Sequence, residues 1–428
     1  MMQNSGWMAL KGVAGPAEAA EPTAVRLPHG TLWAAMTATS LGVLPVFFFG
    51  ALAALVRDDL RFGQSRIGLA TAAFFAVAAL LSVPGGWLAE RLGEVRTTAI
   101  AIGCAACSML GIALFAQSWL QLLLLMILGG VGNALVQPAT NAMLAASVPD
   151  RHQGLVFGAK QAAVPLASTV AGVGLPVLGL TLGWRGAFGV AAALALPVLV
   201  LLWRVRGRHR SVVARSRPSL RGSRDLLALA LVAALGAGSG NAMGAFYVDA
   251  AVDRGVAAGT AGVFLAVGAA TGIVTRILLG WWTDRWRIRR IPVVAVMLLV
   301  GAGGYAMIAA GLPAAALLVG TIMAYAAGWG WNGLLVAAVI EAHPQAPAAA
   351  TGITQAGVYG GAVLIPPLFG YVAEVVSYPA AWATTVGLLC GAACIAAVAV
   401  RWYAQVAPAR SGSPCQGSRS SSAGGIRG

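Results

Sequence analysis

Long apolar runs, each bounded by arginine or by glycine and proline, recur along nearly the whole chain. A helix needs about 20 apolar residues to cross the hydrocarbon core of a bilayer, and the sequence offers that length repeatedly. Only 10% of the residues are charged and the mean hydropathy is +0.82, which excludes an ordinary soluble domain. We predict an all-α membrane protein with twelve transmembrane helices, at residues 31–55, 66–89, 97–116, 119–146, 157–180, 186–203, 226–250, 260–283, 291–311, 313–340, 350–373 and 380–402.

A polar segment divides the spans into two sets of six. Residues 204–225 hold eight arginines. The segment is too polar to cross a membrane and too short to fold as a domain. We therefore expect one six-helix bundle at residues 31–203 and a second, pseudo-symmetric one at residues 226–403. The tails, residues 1–30 and 404–428, have no sustained apolar run and are expected to be disordered.

Basic residues gather on one side of the predicted bundle. In the short connections, the side that holds segment 204–225 has fifteen basic residues and the other side has five. Because arginine and lysine concentrate in cytoplasmic loops, we place this segment and both termini in the cytoplasm, with the protein in the plasma or inner membrane. The same bias accounts for the net charge of +15 without a nucleic-acid partner.

Two basic residues fall inside predicted spans: Lys160 in the fifth and Arg276 in the eighth. A charge in hydrocarbon costs several kcal/mol unless it faces protein or water. Because no acidic residue is predicted at mid-span, both side chains are expected to face a wet cavity that receives an anion. Arginine can bind a carboxylate with its planar fork, and lysine adds a movable point charge.

Uncharged polar residues within the spans are candidates for further substrate contacts. They are Gln161, Thr354, Gln355, Asn133, Asn241 and Asn332, with Gln137 and Asn141 as additional polar residues of the fourth span. Each could instead hold helices together, a common role of amides in membranes. Lys160 could extend its ammonium to the cytoplasmic surface, and Arg276 could do the same or pair with Asp284.

Two short motifs recur at a spacing of 194 residues. The matched stretches are Gly86-Trp-Leu-Ala-Glu90-Arg91 with Gly280-Trp-Trp-Thr-Asp284-Arg285, Arg96 with Arg290, and Gly158-Ala-Lys160-Gln161 with Gly352-Ile-Thr354-Gln355. Internal repeats of this kind are typical of transporters whose substrate site lies near the bilayer midplane.

In three features the chain resembles the major facilitator superfamily. These are twelve spans in two sets of six, the basic central segment, and the G-x-L-A-acid-R-x-G turn at residues 86–93. The resemblance covers about residues 30–403. It implies two parallel six-helix bundles that expose a central site to either side in turn. The expected gating residues are Gly86, Glu90, Arg91, Arg96, Gly280, Asp284, Arg285 and Arg290. The alternative is that these charges only anchor helix ends at the interface.

Shorter patterns point to a substrate class within that family. Arg276 followed by G-x-x-x-D-R is similar to carboxylate carriers, and the G-x-K-Q stretch resembles uptake members for small organic anions, monocarboxylate-like, oxalate-like or cyanate-like. Drug/proton antiporters typically carry G-x-x-x-G-P in the fifth span, where this chain has Leu175 before Pro176. We predict a secondary transporter or symporter for a small organic anion, with proton-coupled efflux of drugs or metabolites as the alternative.

No cofactor or metal site emerges from the sequence. Cys104 and Cys107 form a C-x-x-C on an apolar helix without a second pair at zinc spacing, and no Walker-type loop is present. We expect no enzyme activity and a monomer whose partners are a small anionic molecule, the lipid bilayer and, as a candidate coupling ion, the proton. A membrane enzyme or a non-transporting sensor is the alternative outside the transport class.

Prolines interrupt the fifth and eleventh spans. Pro165 and Pro176 lie in the fifth, and Pro366 and Pro367 lie in the eleventh. A proline within a span frees backbone carbonyls, which is tolerated beside protein or a cavity. We expect these two helices to bend during transport.

Overall fold

The computed structural model describes residues 29–147, 156, 159–204, 224–343 and 347–406. All regular elements in that part of the chain are helical. Most of the central arginine-rich segment and of both tails lies outside the described residues, so the expectations for them stay predictions.

The described residues of the N-terminal part, which extends from 29 to 204, include eight α-helices. They are α1 His29–Ala51, α2 Ala53–Leu60, α3 Gln64–Leu92, α4 Glu94–Phe115, α5 Trp119–Ser147, α6 Ala163–Gly174, α7 Leu180–Ala193 and α8 Ala195–Arg204. One turn of π-helix, Leu175–Gly179, connects α6 to α7. Gly183 interrupts α7 with φ 72° and ψ 166°, a conformation that favours glycine.

Seven α-helices lie in the C-terminal part, residues 224–406, where the structure describes all but residues 344–346. They are α9 Arg224–Asp253, α10 Ala258–Arg285, α11 Arg290–Ala309, α12 Ala314–Ala326, α13 Asn332–Ala342, α14 Pro347–Val375 and α15 Tyr378–Val406. Residues 327–331 form a turn between α12 and α13, within the predicted tenth span. The turn has the sequence Ala-Gly-Trp-Gly-Trp, and its two glycines explain why a helix breaks there.

The helices provide the apolar length that a multi-pass membrane protein requires. Ten described segments are long and apolar enough to cross a bilayer, and α12 and α13 are shorter apolar helices. Many outward-facing side chains are large and apolar, such as Leu80 and Leu364, as expected for a surface in contact with lipid. The predicted fifth and sixth spans form one apolar segment, Ala163–Arg204, in which Gly183 breaks the helical path.

The helix packing repeats between the two parts. The starts of α3 at Gln64 and α10 at Ala258 are 194 residues apart, the spacing of the sequence repeat. Helix α3 packs against α14 of the C-terminal part, and α10 packs in the corresponding way against α6 of the N-terminal part. Helices α1 and α9 also contact each other across the centre.

Close backbone approach holds α6 against α10. A Cβ atom at Gly172 would lie 2.6 Å from the Ala266 backbone nitrogen and 2.7 Å from the Gly262 oxygen. Since real Cβ contacts are longer, only glycine fits this crossing. Small residues are the usual means of bringing membrane helices together.

Two polar contacts between the two parts lie at one end of the molecule. We name the end with Arg91, Arg204, Arg224 and Arg285 the arginine-rich end, and the other the opposite end. At the opposite end, Arg57 Nε donates to Asp249 Oδ1 over 3.2 Å, and the Ser65 backbone nitrogen donates to Glu374 Oε2 over 2.7 Å. Among the described residues, no ion pair joins the two parts at the arginine-rich end.

Candidate functional site

Lys160 is buried in the interior just before α6, with only 3% of its surface exposed. Its ammonium donates to Asn141 Oδ1 over 2.6 Å, to Gln137 Oε1 over 3.1 Å and to the Gln137 carbonyl over 3.3 Å. All three acceptors are neutral and belong to α5. The side chain therefore does not extend to the membrane surface.

Arg276 projects from α10 and binds backbone carbonyls in both parts of the protein. Its Nη1 donates to the carbonyl of Gln161 and its Nη2 to the carbonyl of Trp329 over 2.7 Å. Its Nε is buried without a hydrogen-bond partner. Asp284 pairs with Arg290 rather than with Arg276.

Local helix irregularities make both carbonyls available to Arg276. The Gln161 carbonyl would normally accept from the N–H of residue 165, but Pro165 has none. Trp329 lies in the turn between α12 and α13, outside regular helix. Because each carbonyl lacks its usual helical partner, an arginine can satisfy it.

The turn that holds Trp329 also contacts the N-terminal part through its side chain. The Trp329 ring lies 5.5 Å from the ring of Phe47 on α1 and 5.5 Å from that of Tyr325 on α12. Trp329 is almost fully buried. Aromatic and hydrogen-bonding contacts thus meet beside Arg276, where the two parts touch.

The guanidinium of Arg276 reaches the backbone next to Lys160, and no carboxylate is described at either cation. Arg276 binds the carbonyl of Gln161, the residue directly after Lys160. In the described part of the chain neither cation forms an ion pair. The site therefore keeps two positive charges that only neutral oxygens contact.

The other predicted site residues have varied surroundings. Asn133 is buried with no partner for its Oδ1, while the Asn241 Nδ2 donates to Ala237 in its own helix. The Thr354 hydroxyl donates to the Thr351 carbonyl, one turn earlier on α14. Gln355 and Asn332 are partly buried. No described contact joins these residues to Lys160 or Arg276, so their substrate role stays a prediction.

The predicted gating residues lie at the arginine-rich end. Glu90, Arg91 and Arg96 are exposed, and so is Arg285, whose guanidinium lies 5.6 Å from the Trp286 ring. Arg290 binds both Asp284 and Glu341, and all three belong to the C-terminal part. Gly280 has open space around it, and Gly86 is in ordinary contact with Pro138. A gating role for these residues stays a prediction.

Sequence reasoning missed two features of the contact between the parts. The first is the Trp329 carbonyl, which the glycines of the 327–331 turn could have indicated. The second is Asp249, buried at the opposite end, which accepts from Arg57 and from the Tyr378 hydroxyl. Nothing local in the sequence distinguishes Asp249 from other acids near a span end.

An apolar groove on the outside of the bundle is separate from this site. It has a volume of about 410 Å³ between α9 and α15 and is lined by Leu227, Ala228, Leu231, Cys394, Ile395 and Val398. Because its lining is apolar, it fits a lipid-facing surface better than a site for a polar solute.

Comparisons with known proteins give the family. The profile of the Major Facilitator Superfamily matches residues 32–352. An MFS-type efflux pump of Mycolicibacterium smegmatis is 29% identical over 180 residues, 41% of this chain and 41% of the pump. A probable sulfoacetate transporter, SauU, of Cupriavidus necator is 26% identical over 167 residues, 36% of this chain and 38% of the relative. The aligned regions therefore span less than half the length of these curated relatives.

The fold has a close counterpart among solved structures. A bacterial homologue of the human lysosomal transporter Spinster, in an inward-facing and occupied conformation, superposes with a TM-score of 0.73 at 18% identity. The match covers 90% of this chain and 99% of the other. Since the family profile covers most of the chain and the fold agrees, this multi-pass membrane protein belongs to the Major Facilitator Superfamily.

Proposed function

We propose that the protein is a secondary transporter for small organic anions, and that Lys160 and Arg276 form its anion-binding site. The observation that carries this proposal is a pair of interior cations bound only to neutral oxygens: Arg276 joins the two parts, and Lys160 directly precedes the residue whose carbonyl Arg276 binds. An anion would supply the charge that the chain does not, because unpaired charges in a membrane interior are costly.

The guanidinium of Arg276 has a donor to offer an anion. Nη1 and Nη2 each donate to a carbonyl, while the buried Nε has no partner. A carboxylate or sulfonate oxygen on Nε would complete the hydrogen bonding of the fork. The interior position excludes bulk water from most of the group, which strengthens a charged contact.

The architecture we propose is twelve transmembrane helices in two six-helix bundles. The segment Ala163–Arg204 supplies two spans because the helix breaks at Gly183, and α12 with α13 supplies one. The repeated packing of α3 with α14 and of α10 with α6 supports two related bundles that rock against each other. Arginine bias supports cytoplasmic termini in a plasma or inner membrane, and we propose that the carrier is a monomer.

One relative favours the anion class. SauU is described as a probable sulfoacetate transporter, and sulfoacetate is a small molecule with two acidic groups. Another relative favours a second candidate, since it is described as an MFS-type efflux pump. Efflux coupled to protons, or proton symport of an anion, would need a titratable group, and Glu341 and Lys160 are the candidates.

Uptake by proteoliposomes tests the proposal. We expect the intact protein to take up radiolabelled sulfoacetate, oxalate or a small monocarboxylate with saturable kinetics. Lys160→Gln and Arg276→Gln should each lower kcat/KM at least about tenfold, because each removes a positive charge that attracts the anion and a charged contact contributes about 1.5–3 kcal/mol.

The matched control is Arg289→Gln, which removes a positive charge at an exposed position where α11 starts. It should leave uptake unchanged. Anion uptake that is normal in both interior variants, or extrusion of drugs by the intact protein with no anion uptake, would contradict the proposed site.

A further inference from the structure

The three acceptors of Lys160 match the three donors of an ammonium group. Asn141 Oδ1, Gln137 Oε1 and the Gln137 carbonyl lie 2.6, 3.1 and 3.3 Å from Nζ. A lysine ammonium has three N–H bonds and no acceptor, so the set saturates it. We name Gln137 and Asn141 the amide pair.

The amide pair orients Lys160 without neutralising it. Gln137 and Asn141 are four residues apart and therefore lie on one face of α5. Aspartate or glutamate has almost the same shape and would also accept these hydrogen bonds, but it would cancel the charge. An amide oxygen contributes only a dipole, so it leaves the charge of the ammonium uncompensated.

Arg276 likewise keeps its charge, because backbone carbonyls hold it. The proposed site therefore carries two positive charges, and no described carboxylate pairs with either one. A monoanion would leave one positive charge unbalanced, whereas a small dianion would balance both. Charge matching of this kind gives selectivity more than it gives raw affinity.

Resting on the proposed function, we propose that the amide pair fixes the charge of the site and so makes the transporter selective for small dianions over monoanions. Gln137 and Asn141 act as positioning residues for Lys160. The ligand class is a compact molecule with two acidic groups, dicarboxylate or carboxylate-sulfonate.

Two isosteric probes separate charge from size. Oxalate is a dianion at neutral pH, and oxamate has the same shape with one carboxylate replaced by a neutral amide. In proteoliposomes we expect the intact protein to prefer oxalate, with kcat/KM at least about tenfold above that for oxamate, since one further charged contact contributes about 1.5–3 kcal/mol.

Asn141→Asp and Gln137→Glu each put a carboxylate beside the ammonium. We expect either variant to lower the ratio of oxalate to oxamate uptake at least about tenfold, because it removes one unit of net charge from the site. Asn141 is exposed on one side, so a carboxylate there can stay hydrated and the variant should fold. Gln137→Glu is the second variant if Asn141→Asp does not insert.

The matched control is Asn141→Ala, which removes the hydrogen bond and leaves the charge. It should lower uptake of both probes in similar proportion and so preserve their ratio.

The chemical reactivity of Lys160 gives a readout that does not depend on transport. Because the sequence contains only Lys11 and Lys160, Lys11→Arg leaves one lysine, whose reductive methylation mass spectrometry can follow. Methylation should be slower in Asn141→Asp and faster in Asn141→Ala.

The outcomes distinguish this inference from the proposed function. An unchanged oxalate-to-oxamate ratio in both acidic variants, or a preference of the intact protein for oxamate, overturns the dianion inference alone. Uptake of monocarboxylates but of neither oxalate nor oxamate also overturns the dianion inference alone, if that uptake requires Lys160 and Arg276. Anion uptake that is indifferent to Lys160→Gln and Arg276→Gln, or no anion uptake at all, overturns the proposed function and this inference together.

Discussion

The guanidinium of Arg276 donates one hydrogen bond to each of the two parts of the protein. Its fork reaches the Gln161 carbonyl in the N-terminal part and the Trp329 carbonyl in the C-terminal part at once. Both carbonyls are available because Pro165 lacks an N–H and because residues 327–331 leave the helix. A single side chain therefore contacts both parts of the protein at once, and in the proposed function it would also bind the anion.

We expect lysine at position 276 to support transport poorly. Lysine keeps the charge, but its point-like ammonium cannot reproduce the planar fork that spans the two carbonyls. We expect Arg276→Lys to lower kcat/KM for the transported anion about 10- to 100-fold, the cost of one charged hydrogen bond. Proteoliposome uptake measures it, and Arg289→Lys is the control. Uptake equal to that of the intact protein would show that the fork geometry is unimportant.

Helix crossings between the two parts depend on small residues. At Gly172, α6 approaches the backbone of α10 so closely that no side chain fits. The same helix begins beside Gln161, whose carbonyl Arg276 binds. The distance between α6 and α10 at their crossing should therefore control whether Arg276 can reach across.

A larger side chain at the crossing should separate these helices. We expect Gly172→Val to reduce uptake at least about fivefold, because overpacking costs about 1–3 kcal/mol and moves backbone. Gly103→Val is the matched control, since a Cβ at Gly103 meets no atom within 4 Å. Equal transport rates of the two variants in proteoliposomes would contradict a close crossing during the cycle.

At the scale of the whole molecule, an ion pair and a hydrogen bond join the two parts at the opposite end. Arg57 pairs with Asp249 across the two parts, and Glu374 accepts from the Ser65 backbone. Asp249 is almost fully buried, and Tyr378 also donates to it. A transporter that opens at this end must break these contacts, so their strength sets the population of the open state.

Removing the carboxylate should favour opening at the opposite end. Asp249→Asn leaves Arg57 without its ion pair, and a loss of about 1.4 kcal/mol shifts the ratio of two states tenfold. Spin labels at Arg61→Cys and Val376→Cys, in a protein whose native cysteines are replaced, report the distance between the two parts at this end. We expect double electron-electron resonance to show a larger fraction of long distances in Asp249→Asn than in the protein with Asp249 intact.

Asp253→Asn is the control for that measurement, because Asp253 is exposed near the same end of α9 and forms no described ion pair. It should leave the distances as they are. Identical distributions in Asp249→Asn and the intact protein would exclude a holding role for Asp249.

The sequence by itself determined the helical membrane class, the family and the interior location of Lys160 and Arg276. These follow from local rules: the apolar length of a span, the cost of a charge in hydrocarbon and the spacing of a repeated motif. It also identified Pro165 as a break, without indicating that the freed carbonyl receives Arg276.

Only the tertiary structure decided the partners of those charges. Lys160 bonds to residues 19 and 23 positions away on α5, and Arg276 bonds to carbonyls 53 and 115 positions away. Such pairs depend on which helices cross and at what height, and apolar spans of similar composition do not specify that. Hydrophobicity fixes which segments enter the bilayer, whereas packing of glycines, prolines and aromatic rings fixes which segments meet.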